Sequence, residues 1–202
     1  MNKQALSLLS AILLTACASP DPSPSPRTNP SPRTTLGYLP GEGVPTAAVD
    51  ELVDIYNIPD AVPQDDPLHP FANRPYTVFG QSYTPMQSAV GYKERGIASW
   101  YGTGFEGNIT ASGEVCELYV MTAAHNLLPI PSYVRVTHLG NGKSVVVKVN
   151  DRGPFRNDRL INLSYVAAKK LDMIELGTAE VEVESVMPDS RLLPNRYPQN
   201  WR

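Results

Sequence analysis

Alternation of apolar and polar residues marks the second half of this chain. Val134, Val136 and His138 alternate with Arg135 and Thr137, and Val145, Val147 and Val149 repeat the pattern further on. Two such runs flanking Asn141-Gly142 read as a β-hairpin with a type I′ turn. Val181, Val183 and Val186 give a last strand after a turn at Gly177, while Tyr76–Phe79 and Gly96–Tyr101 give two earlier ones. A helix signal appears over Ser164–Leu171, with Ser164 as N-cap ahead of Val166, Ala167 and Leu171. A second short helix is expected around Thr46–Tyr56, with Asp50, Glu51 and Asp54 on its exposed side. Short strands with one or two helical turns imply a mainly β fold built as a small closed barrel.

Composition divides the chain. Of its 20 prolines, 13 precede Tyr76, so the periodic patterns are confined to residues 76–187 and a tail follows over 188–202. At 202 residues and 42% apolar content, the chain holds one ordinary domain plus extra sequence. A net charge of −3 gives no electrostatic footprint for nucleic acid, which is therefore not an expected partner. Lys3 followed by the apolar run Ala5–Leu14 reads as a signal peptide over residues 1–16. It ends in Leu14-Thr15-Ala16-Cys17, which resembles the bacterial lipobox and makes Cys17 the expected lipidation site and membrane anchor. Ala18 follows, where an inner-membrane retention signal would place Asp, so an outer-membrane anchor facing the periplasm is expected. Residues 17–75 then form a Pro/Ser tether and an irregular segment. At about 3.1 Å per residue in polyproline II, the tether over 18–35 reaches roughly 55 Å. Cys116 has no partner once Cys17 is lipidated, and it is expected to be a small buried thiol rather than half of a disulfide.

The chemistry lies in four separated blocks: Gly96-Ile97-Ala98-Ser99-Trp100-Tyr101-Gly102, Thr110-Ala111-Ser112-Gly113-Glu114, Thr122-Ala123-Ala124-His125 and Asn150-Asp151-Arg152-Gly153-Pro154-Phe155, with Glu114 and Asp151 each in a Gly-containing turn. Two acids on turns are a familiar setting for glycan cleavage. In this order the blocks resemble the rare lipoprotein A (RlpA-like) family over roughly Tyr76 to Val186. The resemblance implies a six-stranded double-psi β-barrel and a peptidoglycan lytic transglycosylase that acts on glycan strands without a cofactor. It assigns the acid/base pair to Glu114 and Asp151, with His125 as a third member that orients substrate or a carboxylate. Trp100 and Tyr101 are expected to stack on sugar faces, and Arg152 to bind substrate or to pair with Asp151 at the barrel rim. No metal site is expected, since His69 and His138 lack partners at ligand spacing. Division-site proteins are a further partner class for such an enzyme.

Two positions depart from the family pattern. Phe105-Glu106-Gly107 stands where the family has Phe-His-Gly, and Ile161-Asn162-Leu163-Ser164 where it has Ile-Asp-Leu-Ser. The second change removes a carboxylate, which lowers the proton affinity expected of a neighbouring acid. The competing reading is a non-catalytic peptidoglycan-binding or septal scaffold lipoprotein that keeps the groove without turnover.

Overall fold

The computed structural model describes residues 43–45, 53–156 and 158–189. The signal segment, Cys17, the Pro/Ser tether, most of the helix expected at 46–56 and most of the tail lie outside the described residues. Of that expected helix, the described end is a single 3-10 turn, Ile55–Asn57, capped by the Asp54 carboxylate, which accepts from the Tyr56 N–H.

Eight strands follow among the described residues: β1 (Tyr76–Val78), β2 (Gln81–Tyr83), β3 (Lys93–Trp100), β4 (Thr122–His125), β5 (Ser132–His138), β6 (Ser144–Asp151), β7 (Ile161–Leu163) and β8 (Ala179–Ser185). The last six close into a barrel in the order β3-β7-β4-β6-β5-β8, and closure removes the free edges of that sheet. Two of its pairings are parallel, β3 with β7 and β4 with β6, and the other four are antiparallel. This is the mainly β, six-stranded double-psi barrel that the resemblance implies. Among the described residues it carries one α-helix, α1 (Tyr165–Lys170).

The valine alternation explains the long strands. Val134, Val136, Val145, Val147, Val149, Val181 and Val183 all point into the core, with Ala98, Ala123, Ile161 and Leu163 beside them. At roughly 25 cal/mol per Å² of apolar surface removed from water, this layer dominates the stabilisation. Ser164 caps α1 by accepting from the Ala167 N–H, as expected, and the helix buries Tyr165, Val166, Ala167 and Ala168.

The hairpin between β5 and β6 stands where expected, but its turn differs. The loop spans Leu139 to Lys143, and only Gly142 is left-handed (φ 75°), whereas a type I′ turn needs positive φ at both central residues. The Asn141 side chain instead accepts from the Lys143 N–H and donates to the Leu171 carbonyl. Positive φ at both central residues occurs between β1 and β2, at Phe79 (50°) and Gly80 (78°).

The segment before β1 is irregular, as read, yet it is bonded to the barrel. Ala61 N–H donates to the Val146 carbonyl, and Asp60 accepts from Val146 N–H. Asn73 both donates to and accepts from the Ile130 main chain, and Tyr133 donates to Asp66.

Candidate active site

Strand β6 carries the site. Its inward positions are Val145, Val147 and Val149, a register that would also turn Asp151 inward. A bulge intervenes: Ala123 of β4 pairs with Val149 and Ala124 with Asp151, so Asn150 is one residue extra and the strand is re-aimed after it. The turn Thr110–Glu114 folds onto this end of β6. Thr110 N–H donates to the Glu114 carbonyl, Gly113 N–H to the Thr110 carbonyl, and Ser112 N–H to the Asn150 carbonyl. Gly113 sits at φ 83°, a conformation L side chains rarely adopt, so the turn requires glycine there.

Asp151 is largely buried at this junction. Its Oδ1 accepts from two main-chain N–H groups, Ala111 and Arg152, each at 2.8 Å. Burial dominates those donors and the Arg152 charge, and pushes the carboxyl up to about 6. A carboxyl of that kind is protonated in mildly acidic solution, keeps part of its protonated population near neutral pH, and releases the proton readily, as a general acid requires.

Glu114 has the opposite environment. Oε1 accepts from Lys148 Nζ at 2.5 Å and Oε2 from Asn150 Nδ2 at 2.7 Å, both donors being on β6. Partial burial alone would raise its proton affinity, but the bonds from Lys148 and Asn150 and the lysine charge outweigh it and hold the carboxyl below its ordinary value. Beside Glu114 lies a groove of about 400 Å³ lined by Ile58, Val62, Val120, Tyr133, Glu114 and Lys148 among others.

His125 ends β4 and is 2% exposed. Its Nδ1 accepts from the N–H groups of Leu127 and Leu128, both at 3.0 Å. The ring proton therefore sits on Nε2 and is donated to the Tyr92 hydroxyl at 3.0 Å, which in turn donates to Glu94. Burial, with the Arg152 charge behind it, lowers the ring to about 3, so it is neutral. Arg152 is equally enclosed. Its guanidinium donates to the carbonyls of Ala72, His125 and Leu128 and to Asn73 Oδ1, at 2.6 to 3.1 Å. It braces the segment before β1 against the loop after β4 and sits over the Tyr76 ring.

Residues 93–183 match the family model described as lytic transglycolase. The chain is 51% identical over 181 residues to the endolytic peptidoglycan transglycosylase RlpA of Pseudomonas aeruginosa (strain UCBPP-PA14), covering 89% of this chain and 52% of that protein. It is 40% identical over 200 residues to the protein of the same name from Vibrio cholerae serotype O1, covering 99% of this chain and 70% of that protein. The chain belongs to the RlpA family. It spans about half the length of the Pseudomonas relative, and of the Neisseria meningitidis serogroup A relative, which is 50% identical over 129 residues covering 64% of this chain and 54% of that protein.

Within this RlpA-family chain, the expected site residues separate into two groups. Glu114 and Asp151 are brought together on β6 and its turn. Trp100 and Tyr101 are not available for sugar stacking: each is 4% exposed and sits in the core. Trp100 packs edge-on against Tyr165, while Tyr101 packs against Phe105 and shares a 2.6 Å hydrogen bond with Thr122. The side chains of His125 and Arg152 likewise face internal partners rather than a ligand. At the second departure from the family pattern, Asn162 accepts from Ser99, and it is burial that raises Asp151. Glu106 accepts from the Leu118 N–H. Cys116 is buried, as expected, and its thiol is pushed up to about 12 by burial first and nearby acids second.

Sequence reasoning missed Lys148 and Asn150. Their alternation with the inward valines was a signal that they share a face, but nothing in the sequence placed Glu114 there. It also missed an aromatic cluster in which Tyr76 stacks on Tyr83 at 5.1 Å and Phe155 packs against both. Tyr76 lies within electrostatic reach of Asp151.

Proposed function

We propose that this chain is a peptidoglycan lytic transglycosylase of the cell envelope, cleaving glycan strands to 1,6-anhydro muramic ends. Asp151 delivers its proton to the glycosidic oxygen as the bond to the sugar carbon breaks. Glu114, held ionised, stabilises the positive charge that grows at the ring. The sugar's own 6-hydroxyl then closes on that carbon and gives its proton to the Asp151 carboxylate, which restores the acid. No water is consumed and no cofactor enters. The observation that carries this reading is the opposed pair of carboxyls, one buried with its proton affinity raised, the other clamped as an anion. The names of the relatives support the substrate class. The half-buried Phe155, four residues beyond Asp151, is the aromatic side chain offered to a sugar in place of Trp100 and Tyr101.

Digestion of purified peptidoglycan followed by mass analysis tests the reaction. Anhydro-ended fragments are expected, and Asp151→Asn and Glu114→Gln should each lower kcat/KM by about a hundred- to ten-thousandfold. Reducing-end products would mean hydrolysis. Glycan binding without turnover, unaffected by either substitution, would replace the enzyme by a wall-binding scaffold. Lipidation at Cys17, an outer-membrane location facing the periplasm and contact with division-site proteins complete the proposal. A Cys17→Ser protein that still fractionates with membranes would refute the anchor.

A further inference from the structure

We propose that Lys148 and Asn150 are positioning residues that hold Glu114 as the fixed anion of the site and leave proton delivery to Asp151. The proposal rests on the transglycosylase reading for its role in turnover, but the clamp itself is a property of the fold. Glu114 ends a five-residue turn, where a free side chain would sample several rotamers. Two donors from alternate positions of one strand remove that freedom, one on each carboxylate oxygen. A proton on either oxygen would displace an N–H donor, so the geometry itself favours the anion.

The donors are well supported. Asn150 is 3% exposed, and its carbonyl accepts from Ser112 N–H, so turn and strand move as one body. The Lys148 main chain is tied to Met121 through its N–H, and its side chain runs along the groove wall, 26% exposed. The groups facing Glu114 are Lys148 and Asn150 on β6, Ser112 on its own turn, and Tyr133 on β5, whose hydroxyl donates to Asp66. Lys148 is the one cation among them. Asp151 is approached from the other end of the same turn through Ala111, and no lysine is among the groups that set its proton affinity.

The test replaces Lys148 and reads Glu114 directly. Carbon-detected NMR titration of the Glu114 carboxyl in wild type, Lys148→Met and Lys148→Arg reports the clamp without any need for turnover, with circular dichroism confirming the fold of each. Lys148→Met should move the Glu114 midpoint to higher pH. It should also carry the acid limb of the kcat/KM profile up with it, and lower kcat/KM about ten- to a hundredfold, the range for losing one hydrogen bond to a charged group. Lys148→Arg should restore most of both, because the charge and a donor are kept. A Glu114 midpoint unchanged in Lys148→Met overturns the proposal, and so does a shifted midpoint with an unmoved acid limb. A wild-type protein that makes no anhydro product, yet whose Glu114 midpoint moves as expected, overturns the transglycosylase reading and upholds the clamp.

Discussion

Replacing Asp151 with asparagine should stabilise the protein while removing its activity, and the gain should grow with pH in a way the structure fixes. The amide side chain of Asp151→Asn keeps an oxygen as acceptor for the Ala111 and Arg152 N–H groups, so the hydrogen bonds of the junction survive. What disappears is the cost of ionising a buried acid. The carboxyl is raised from 3.8 to about 6 in the fold, and at about 1.4 kcal/mol per pH unit this corresponds to about 3 kcal/mol of native-state penalty. For an acid whose folded value lies above its unfolded one, the native state binds the extra proton between those values. The penalty is therefore absent below about pH 4, grows between pH 4 and 6, and is complete above that. His125 works in the opposite sense: its folded value of about 3 lies below the ordinary 6.5, so the wild type loses stability as pH falls beneath 6.5. Comparing Asp151→Asn with wild type at each pH cancels that second contribution. Thermal melts from pH 4 to 8 should show a Tm difference that rises from its acid value by about 10 °C or more and then levels off above pH 6 to 7. A difference that stays flat across this range would refute the assignment of Asp151 as the buried proton holder.

Two further outcomes follow from the packing. His125→Ala should cost at least about 2 kcal/mol at pH 8, because the N–H groups of Leu127 and of the buried Leu128 lose their acceptor. That gap should narrow below pH 6.5 in urea titrations, since the variant no longer carries a ring that protonates on unfolding; a gap that widens would show that the ring is charged in the fold. A fragment spanning residues 76–187 should be less stable by about 3 kcal/mol or more than one spanning 53–189, because it leaves the buried Arg152 charge without the Ala72 and Asn73 acceptors. Equal urea midpoints would show that the segment before β1 contributes nothing.

What the sequence disclosed depended on whether one face of an element was wet. Strands β5, β6 and β8 alternate because their outward residues meet solvent or loops, and their valines could be read directly. Strands β4 and β7 are buried at every position and take part in the parallel pairings, so they have no period to find. The end of β3 has the same character: Ala98, Ser99 and Trp100 are all buried, so an aromatic residue there gave no sign of which side it faced. The type I′ signal at Asn141-Gly142 was sound chemistry at the wrong hairpin. A left-handed Phe79 has no local signature, and it is fixed by the two-residue link between β1 and β2. Glu114 and Asp151 were legible as motif positions, but their protonation was not, because it depends on burial for Asp151 and on donors 34 and 36 residues away in the chain for Glu114.

That distance explains how one short strand can serve both a core and an acid pair. A regular β6 would have carried Asp151 into the valine layer, where an ionised carboxyl is prohibitively costly and a neutral one still needs partners. The extra residue at Asn150 breaks the register after the last valine, lifts Asp151 to the rim, and places the Asn150 amide against Glu114. The turn that brings Glu114 in also supplies the Ala111 N–H to Asp151, so each acid is positioned by the segment that carries the other. Burial differs between them and charge differs between them, and both differences come from this one bulge and one turn. A substitution that regularised the strand would therefore disturb both carboxyls together, which is why their opposed proton affinities belong to the architecture of β6 rather than to either residue alone.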